Sequence, residues 1–184
     1  MPNRVTQSDS AFHKLLREQI RHEFTASQQY VAIAVYFDTS RLPQLAQRFY
    51  LQATEEREHA LMMVQYLLDR DLEVSVGGLD EVTPSFESIR GAVEHARSQE
   101  QDVTDKITEL TRTARETGDY LGEQFMGWFL EAQVQEVASM NTLLAVIDRA
   151  AGNTFDIEEF VARELRTPTR AAAPAPRIAG AARQ

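Results

Sequence analysis

Residues 42–69 read LPQLAQRFYLQATEEREHALMMVQYLLD, and this stretch decides the fold. Apolar side chains recur in it at steps of three and four, which is the period of an amphipathic helix. The core face of this helix, taken at a seven-residue repeat, consists of Leu45, Phe49, Gln52, Glu56, His59, Met63 and Tyr66. Glu56 and His59 interrupt the apolar face at i and i+3, so both side chains point the same way. A helix with such a face must bury a carboxylate and an imidazole together.

The same period occurs in three further stretches, which are residues 9–38, 87–117 and 119–151. Proline or glycine stands at each junction between the stretches, where helices end. No alternating strand pattern competes with the helical one. The sequence therefore predicts an all-α protein.

Loop lengths predict how these helices are connected. The short turns near residues 40 and 118 make the first helix antiparallel to the second, and the third antiparallel to the fourth. The segment 70–86 is too long for a turn, and when extended at about 3.3 Å per residue it reaches roughly 55 Å, the length of a long helix. With a short fifth helix from Thr154 to about Leu165, the sequence predicts a four-helix bundle with one long crossover.

The chain divides into one domain, residues 1–165, and a tail, residues 166–184. The tail is rich in Ala, Pro and Arg and contains no acidic residue, so it is predicted to be disordered. We expect the tail to contact another assembly through its arginines, which are Arg166, Arg170, Arg177 and Arg183.

Composition excludes several classes of protein. The sequence contains no cysteine, which excludes disulfides and thiolate metal sites. A net charge of −9 disfavours nucleic acid as a partner and suits a protein that attracts cations. No stretch has the length of a signal peptide or a membrane span, so we expect no membrane partner and a cytoplasmic location.

One carboxylate interrupts the core face of each long helix, namely Glu23, Glu56, Glu100 and Glu136. All four lie near mid-helix, which favours a single central cluster. The alternative is a set of buried salt bridges, but no core-face position in these helices is Lys or Arg. Four carboxylates in a core without counter-charge repel each other and are costly to desolvate, so they need cations. Carboxylate and imidazole ligands suit iron, manganese or zinc.

Several motifs together resemble the bacterial haem-free ferritins, most closely the mycobacterial type. The resemblance covers about residues 9–165 and rests on HEFTASQQY at 22–30, EEREHA at 55–60, Gln99-Glu100, and Trp128-Phe129-Leu130 followed by Gln133 and Glu136. It implies the ferritin-like fold and a ferroxidase that oxidises two ferrous ions per subunit with dioxygen or peroxide. It also implies a cage of twenty-four subunits that stores ferric mineral.

The resemblance also implies roles for single residues. Glu23, Glu56 and His59 would form the first iron site, with Gln133 nearby. Glu56 would bridge to a second site completed by Glu100 and Glu136. Tyr30 resembles the ferritin tyrosine that donates an electron to the centre, and Trp128 resembles its neighbouring tryptophan. Glu123 resembles an acidic residue of the iron channel, and the alternative is a solvated residue on the helix surface.

Two departures from related patterns refine these expectations. Bacterioferritins have a second ExxH motif and a haem-ligating Met where this chain has Ser139 and Arg57, which predicts that haem is absent. A third iron site would need carboxylates beside Glu55 where this chain has Ala132 and Gln135, so only two ions are expected to bind tightly.

Two other functions remain open at this point. One is a structural or cargo bundle in which the metal stabilises the fold without turnover. The other is a di-iron oxidase or peroxidase related to rubrerythrin, although such proteins usually have ExxH on two helices and a cysteine-rich module, which this sequence lacks.

Overall fold

The computed structural model describes residues 10–166 and 174–181, and within these ranges it contains five helices and no strand. The helices are α1 (Ala11–Thr39), α2 (Pro43–Asp69), α3 (Ile89–Glu116), α4 (Tyr120–Ala150) and α5 (Thr154–Arg166). The predicted all-α bundle with a short fifth helix is confirmed, with helix ends within about two residues of those expected. None of the helices described is long and apolar enough to cross a membrane.

Side-chain caps start three of the long helices. The side chains of Ser10, Ser88 and Asp119 each accept a hydrogen bond from the backbone N–H three residues later. These bonds satisfy donors that a helix leaves unpaired in its first turn. The fourth long helix, α2, begins with Pro43, and the preceding Leu42 gives it no side-chain cap.

A residue of α5 supplies the cap that α2 lacks. The carboxylate of Glu158 accepts hydrogen bonds from the backbone N–H groups of Gln44 at 2.9 Å and Leu45 at 3.0 Å. A negative charge at this helix end is also favoured by the helix dipole. Ile157 and Val161, on the same helix, are buried in the hydrophobic core. The short fifth helix is therefore fixed by both polar and apolar contacts.

The crossover between α2 and α3 runs along α1. The Gln29 amide exchanges two hydrogen bonds with the backbone of Thr83, at 2.9 and 2.7 Å. Further back along both segments, Nε of Arg17 donates to the carbonyl of Glu73 at 2.7 Å. Because residue numbers rise together along the two segments, the crossover is parallel to α1, as a single long connection requires.

The hydrophobic core consists of two clusters at different heights in the bundle. One cluster is built around Tyr30, Phe37 and Phe49, and the other around Leu16 and Phe129. A layer of buried polar side chains includes Glu23 and Glu56, which fall between these clusters along α1 and α2. The bundle therefore interrupts its own core to hold a polar site.

Part of the tail contacts the bundle. In residues 174–181 the N–H of Ala179 donates to the carbonyl of Leu61 at 3.1 Å, Arg177 pairs with Asp69, and Ile178 packs against the second core cluster. The disorder of the tail stays a prediction, and contacts of this kind with a remote helix cannot be read from its composition. Residues 1–9, 167–173 and 182–184, with Arg170 and Arg183, lie outside the described residues.

Candidate metal centre

The polar layer brings together all seven residues predicted for the site. They are contributed by all four long helices, and each has at most 9 % of its surface exposed: Glu23, Tyr30, Glu56, His59, Glu100, Gln133 and Glu136. No Lys or Arg is among the buried residues of the described chain. Four carboxylates in the layer therefore face one imidazole, that of His59, and no buried Lys or Arg of the described residues neutralises them.

Three of these side chains form a compact group of metal-ligand type. One ligand atom from each of Glu23, Glu56 and His59 lies within 4.8 Å of the other two. Nδ1 of His59 is 3.3 Å from Oε2 of Glu56 and 4.0 Å from Oε2 of Glu23. Among the described residues, no N–H group donates a hydrogen bond to the buried Oε2 of Glu23. A buried acceptor without a donor is costly unless a cation approaches it, so this donor set fits a divalent ion.

The other two carboxylates are held by hydrogen bonds. Among the described residues, Glu100 and Glu136 do not belong to a second ligand group of the same compactness. The hydroxyl of Tyr30 donates to Oε1 of Glu100. Nε2 of Gln52 donates to Oε2 of Glu136 at 2.8 Å. These carboxylates lie in the same buried layer as the compact group but are paired with neutral donors.

Gln133 lies beside Glu100. Its side-chain oxygen accepts a hydrogen bond from the hydroxyl of Thr104 at 2.9 Å. With the amide turned over, its nitrogen instead contacts that hydroxyl and donates to the backbone carbonyl of Glu100 at 3.1 Å and to its Oε2 at 3.3 Å. We prefer the turned orientation because it gives the buried carboxylate a donor. Gln133 thus contacts a predicted ligand without belonging to the compact group.

Burial raises the pKa values of the four carboxyl groups. Burial, and then repulsion from Glu56, raises the pKa of Glu23 to about 8. Burial, and then the charges of Glu55 and Glu100, raises the pKa of Glu136 to about 8. Burial raises the pKa of Glu100 to about 7, and it also raises the pKa of Glu56. Carboxyl groups that resist ionisation are stabilised in the ionised form by a cation.

Aromatic rings cover the imidazole. The ring of His59 meets Trp128 and Phe129 edge-on, with centroid distances of 5.6 and 5.5 Å. Phe129 has 2 % of its surface exposed, so this side of the imidazole faces apolar carbon rather than water. Trp128 therefore lies next to His59, and its predicted place beside Tyr30 stays a prediction.

Two glutamines in the layer were not among the residues predicted for the site. Nε2 of Gln19 donates to Oε1 of Glu23 at 2.8 Å, and Nε2 of Gln52 donates to Oε1 of Glu56 at 3.1 Å. Each glutamine precedes a carboxylate by four positions on the same helix, which places both side chains on one face. That spacing was a signal available in the sequence.

The remaining predicted positions lie at the edge of the site or away from it. Glu55 is exposed, although its charge acts on Glu136. Glu123 pairs with Arg115, with Oε1 and Nη2 2.6 Å apart. The guanidinium of Arg57 lies 5.7 Å from the centroid of the Phe24 ring. Ser139 accepts a hydrogen bond from Arg48.

The fold and the site together define a class of protein. A four-helix bundle with one long crossover and a carboxylate–imidazole layer between its helices is the ferritin-like class. Residues 13–150 match the family model of the ferritin-like domain, so the chain belongs to the ferritin-like family.

Curated relatives extend this finding over most of the chain. The chain is 57 % identical to ferritin BfrB of Mycolicibacterium smegmatis over 174 residues, which cover 95 % of this chain and 96 % of that protein. It is 57 % identical to bacterioferritin BfrB of Mycobacterium tuberculosis H37Rv, covering 92 % and 93 % of the two chains. It is 32 % identical to a bacterial non-heme ferritin of Staphylococcus aureus, covering 84 % and 92 %.

Solved structures agree on the fold. An open-pore ferritin from the archaeon Archaeoglobus fulgidus superposes with a TM-score of 0.81. The match covers 85 % of this chain and 97 % of that chain at 24 % identity. At this level of identity the likeness shows the arrangement of helices alone.

Proposed function

We propose that this chain is an iron-storage protein with ferroxidase activity. Ferrous iron binds in the polar layer, dioxygen or peroxide oxidises it there, and the ferric product is stored as mineral. The observation that carries this proposal is the compact, buried group of Glu23, Glu56 and His59, since no Lys or Arg is buried in the described part of the chain. The names of the relatives, all ferritins or bacterioferritins, support it.

The proposed centre takes two ferrous ions per subunit. Glu23, Glu56 and His59 hold the first ion. Gln133 is proposed to lie near it, and its side chain contacts Glu100. Glu56 also reaches the second ion, which Glu100 and Glu136 complete. Each ion gives up one electron, and dioxygen with two electrons and two protons becomes hydrogen peroxide. Binding the ions requires the carboxyl groups to lose their protons, which the cations favour.

The surrounding side chains orient the ligands and exclude water. Tyr30 donates a hydrogen bond to Glu100. We propose that it also donates an electron to the centre when the hydrogen peroxide is reduced further to water, a step that takes two electrons, of which a further ferrous ion supplies the other. Trp128 and Phe129 pack edge-on against the ring of His59 and keep water away from that side of the imidazole. The metal supplies the redox chemistry, and the protein supplies position and charge.

We further propose that the centre works without haem. Arg57 and Ser139 stand where bacterioferritins have a methionine and a histidine. Arg57 lies over the Phe24 ring, and Ser139 accepts a hydrogen bond from Arg48. The Staphylococcus aureus relative is named as a non-heme ferritin, whereas one mycobacterial relative is named as a bacterioferritin. An absorption spectrum of the protein expressed with excess haem decides the matter. We expect no Soret band, and a stoichiometric band would contradict the proposal.

The wider assembly is also part of the proposal. Twenty-four subunits are expected to form a hollow cage for the mineral, which particle mass and negative-stain images would test. The tail is expected to contact another assembly, although Arg177 is paired with Asp69 of its own chain. The cytoplasmic location stays a prediction from the sequence.

Oxygen uptake on adding ferrous iron tests the proposed activity. We expect rapid uptake by the unmodified protein and a loss to the uncatalysed rate in Glu56→Ala/His59→Ala, because both ions lose a ligand. Glu58→Ala is the matched control, since Glu58 lies in the same turn but is exposed. Uptake at an unchanged rate in the double variant would remove the di-iron assignment. Metal binding without uptake in the unmodified protein would favour the structural or cargo role.

A further inference from the structure

We propose that Gln52 is a positioning residue that ties the carboxylates of Glu56 and Glu136 together and thereby sets the affinity of the second metal ion. This inference rests on the proposed function. Gln52 is a neutral residue in the core face of α2 and is not one of the proposed ligands.

The geometry of the amide supports a bridging role. Nε2 of Gln52 donates to Oε1 of Glu56 at 3.1 Å and to Oε2 of Glu136 at 2.8 Å. A primary amide nitrogen carries two hydrogens, so each hydrogen bonds to a carboxylate on a different helix. Gln52 itself has 9 % of its surface exposed, so little water can replace these bonds. One side chain thus joins α2 to α4 at the level of the site.

The hydrogen bonds from Gln52 oppose the repulsion between the carboxylates of Glu56 and Glu136. When ionised, Glu56 and Glu136 are both negatively charged and can only accept hydrogen bonds, so the two carboxylates repel each other. The amide donors hold one oxygen of each carboxylate in place. This leaves Oε1 of Glu136 for a metal ion, and it leaves Oε2 of Glu56, 3.3 Å from Nδ1 of His59, at the compact group. In the proposed assignment both residues are ligands of the second ion, whereas only Glu56 is a ligand of the first, so the bridge acts more strongly on the second ion.

Gln19 provides an internal comparison. It also precedes a proposed ligand by four positions, and its Nε2 donates to Oε1 of Glu23 at 2.8 Å. This bond lies within α1 and does not reach a second carboxylate. Gln19 therefore holds one side chain of the first site, whereas Gln52 links two helices.

The test is an anaerobic titration with Co²⁺, followed by its visible absorption, of the full chain and four variants. Gln52→Met and Gln52→Leu keep a side chain of similar bulk but remove the amide donors. Two substitutions are used so that the test still stands if one of the variants misfolds. Gln19→Met removes the bond within α1. Gln65→Met is the matched control, because Gln65 also donates to a carboxylate four positions later, at 2.7 Å to Asp69, away from the site.

We expect the unmodified protein and Gln65→Met to bind two ions per subunit with the same spectrum. In the Gln52 variants the second ion binds roughly 10–100-fold more weakly and its absorption changes, as expected when a residue that holds two of its ligands is lost. The first ion, which shares only Glu56, weakens less. Gln19→Met affects the first ion instead. A merely structural role for Gln52 would lower the unfolding temperature without this selective change.

Two results would overturn the inference. One is that a folded Gln52 variant binds both ions as the unmodified protein does, and the other is that both ions weaken equally. If the unmodified protein itself fails to bind a pair of ions, the proposed function fails together with the inference. The unmodified protein therefore separates the two failures.

Discussion

The hydroxyl of Tyr30 on α1 donates a hydrogen bond to Oε1 of Glu100 on α3, inside the buried layer. Burial, and then the Glu100 carboxylate, raises the pKa of Tyr30 well above its usual range, so the phenol keeps its proton at neutral pH. If the phenol gives up an electron, its proton has an acceptor already in contact. The pair is thus arranged for the loss of an electron and a proton together.

Tyr30→Phe should abolish a tyrosyl radical signal during ferrous oxidation while leaving the protein folded. Electron paramagnetic resonance on samples frozen after mixing with dioxygen measures this. The substitution also leaves Oε1 of Glu100 without its donor, which should cost roughly 1–3 kcal/mol in the free energy of unfolding. Tyr50→Phe is the matched control, because Tyr50 donates to Asp38 at 3.1 Å on the exposed surface. An undiminished radical in Tyr30→Phe would exclude this residue as the donor.

The metal-free protein should become less stable as the pH rises from 5 towards 8. The pKa values of Glu23 and Glu136 are raised from 4.5 to about 8, so the folded state binds more protons than the unfolded state in this window. The contribution of these groups to the free energy of unfolding is complete below their pKa in the unfolded state. It is lost as the pH rises through their pKa in the folded state. The loss is on the order of a few kcal/mol, since each pKa unit is worth about 1.4 kcal/mol.

Guanidinium unfolding at several pH values measures this loss. Glu23→Gln should show a shallower pH dependence, because one titrating group has been removed. Zn²⁺ should stabilise the unmodified protein more at pH 8 than at pH 5.5, because at pH 8 the ion displaces fewer protons from the carboxyl groups. A free energy of unfolding that rises with pH across this window in the metal-free protein would contradict the assigned charge states.

Glu158→Ala should destabilise the protein by about 0.5–2 kcal/mol, the usual cost of losing a helix cap. The carboxylate of Glu158 receives the N–H groups of Gln44 and Leu45, and α2 has no side-chain cap of its own. Thermal unfolding followed by circular dichroism is the measurement. Glu159→Ala is the control, because Glu159 is exposed on the same helix. Equal unfolding temperatures for the two variants would show that the cap contributes nothing.

The four long helices and the crossover could be predicted because their signals are local. Helical period, loop length and residues such as Pro43 and Gly118 are read from neighbouring positions. Carboxylates such as Glu100 stood out because an ionisable side chain in an apolar face needs an explanation. The structure brings the predicted site residues together, while their roles as ligands stay predictions.

Other features could not be predicted because they depend on contacts between remote segments. Glu158 caps a helix that begins more than a hundred positions earlier, and Ile178 packs against a core cluster that the tail reaches only after folding. Gln52 was visible as a polar residue in the core face of α2. A neutral amide there is compatible with many partners, however, and only the structure shows that it joins Glu56 to Glu136.

The most direct test of the di-iron centre is anomalous scattering at the iron edge from crystals soaked anaerobically in ferrous iron. We predict two peaks per subunit, about 3.5–4 Å apart as in other two-metal sites. One peak should lie among Glu23, Glu56 and His59, and the other among Glu56, Glu100 and Glu136. Absence of iron from the buried layer, or a third well-occupied peak with Glu55 among its ligands, would contradict the assignment.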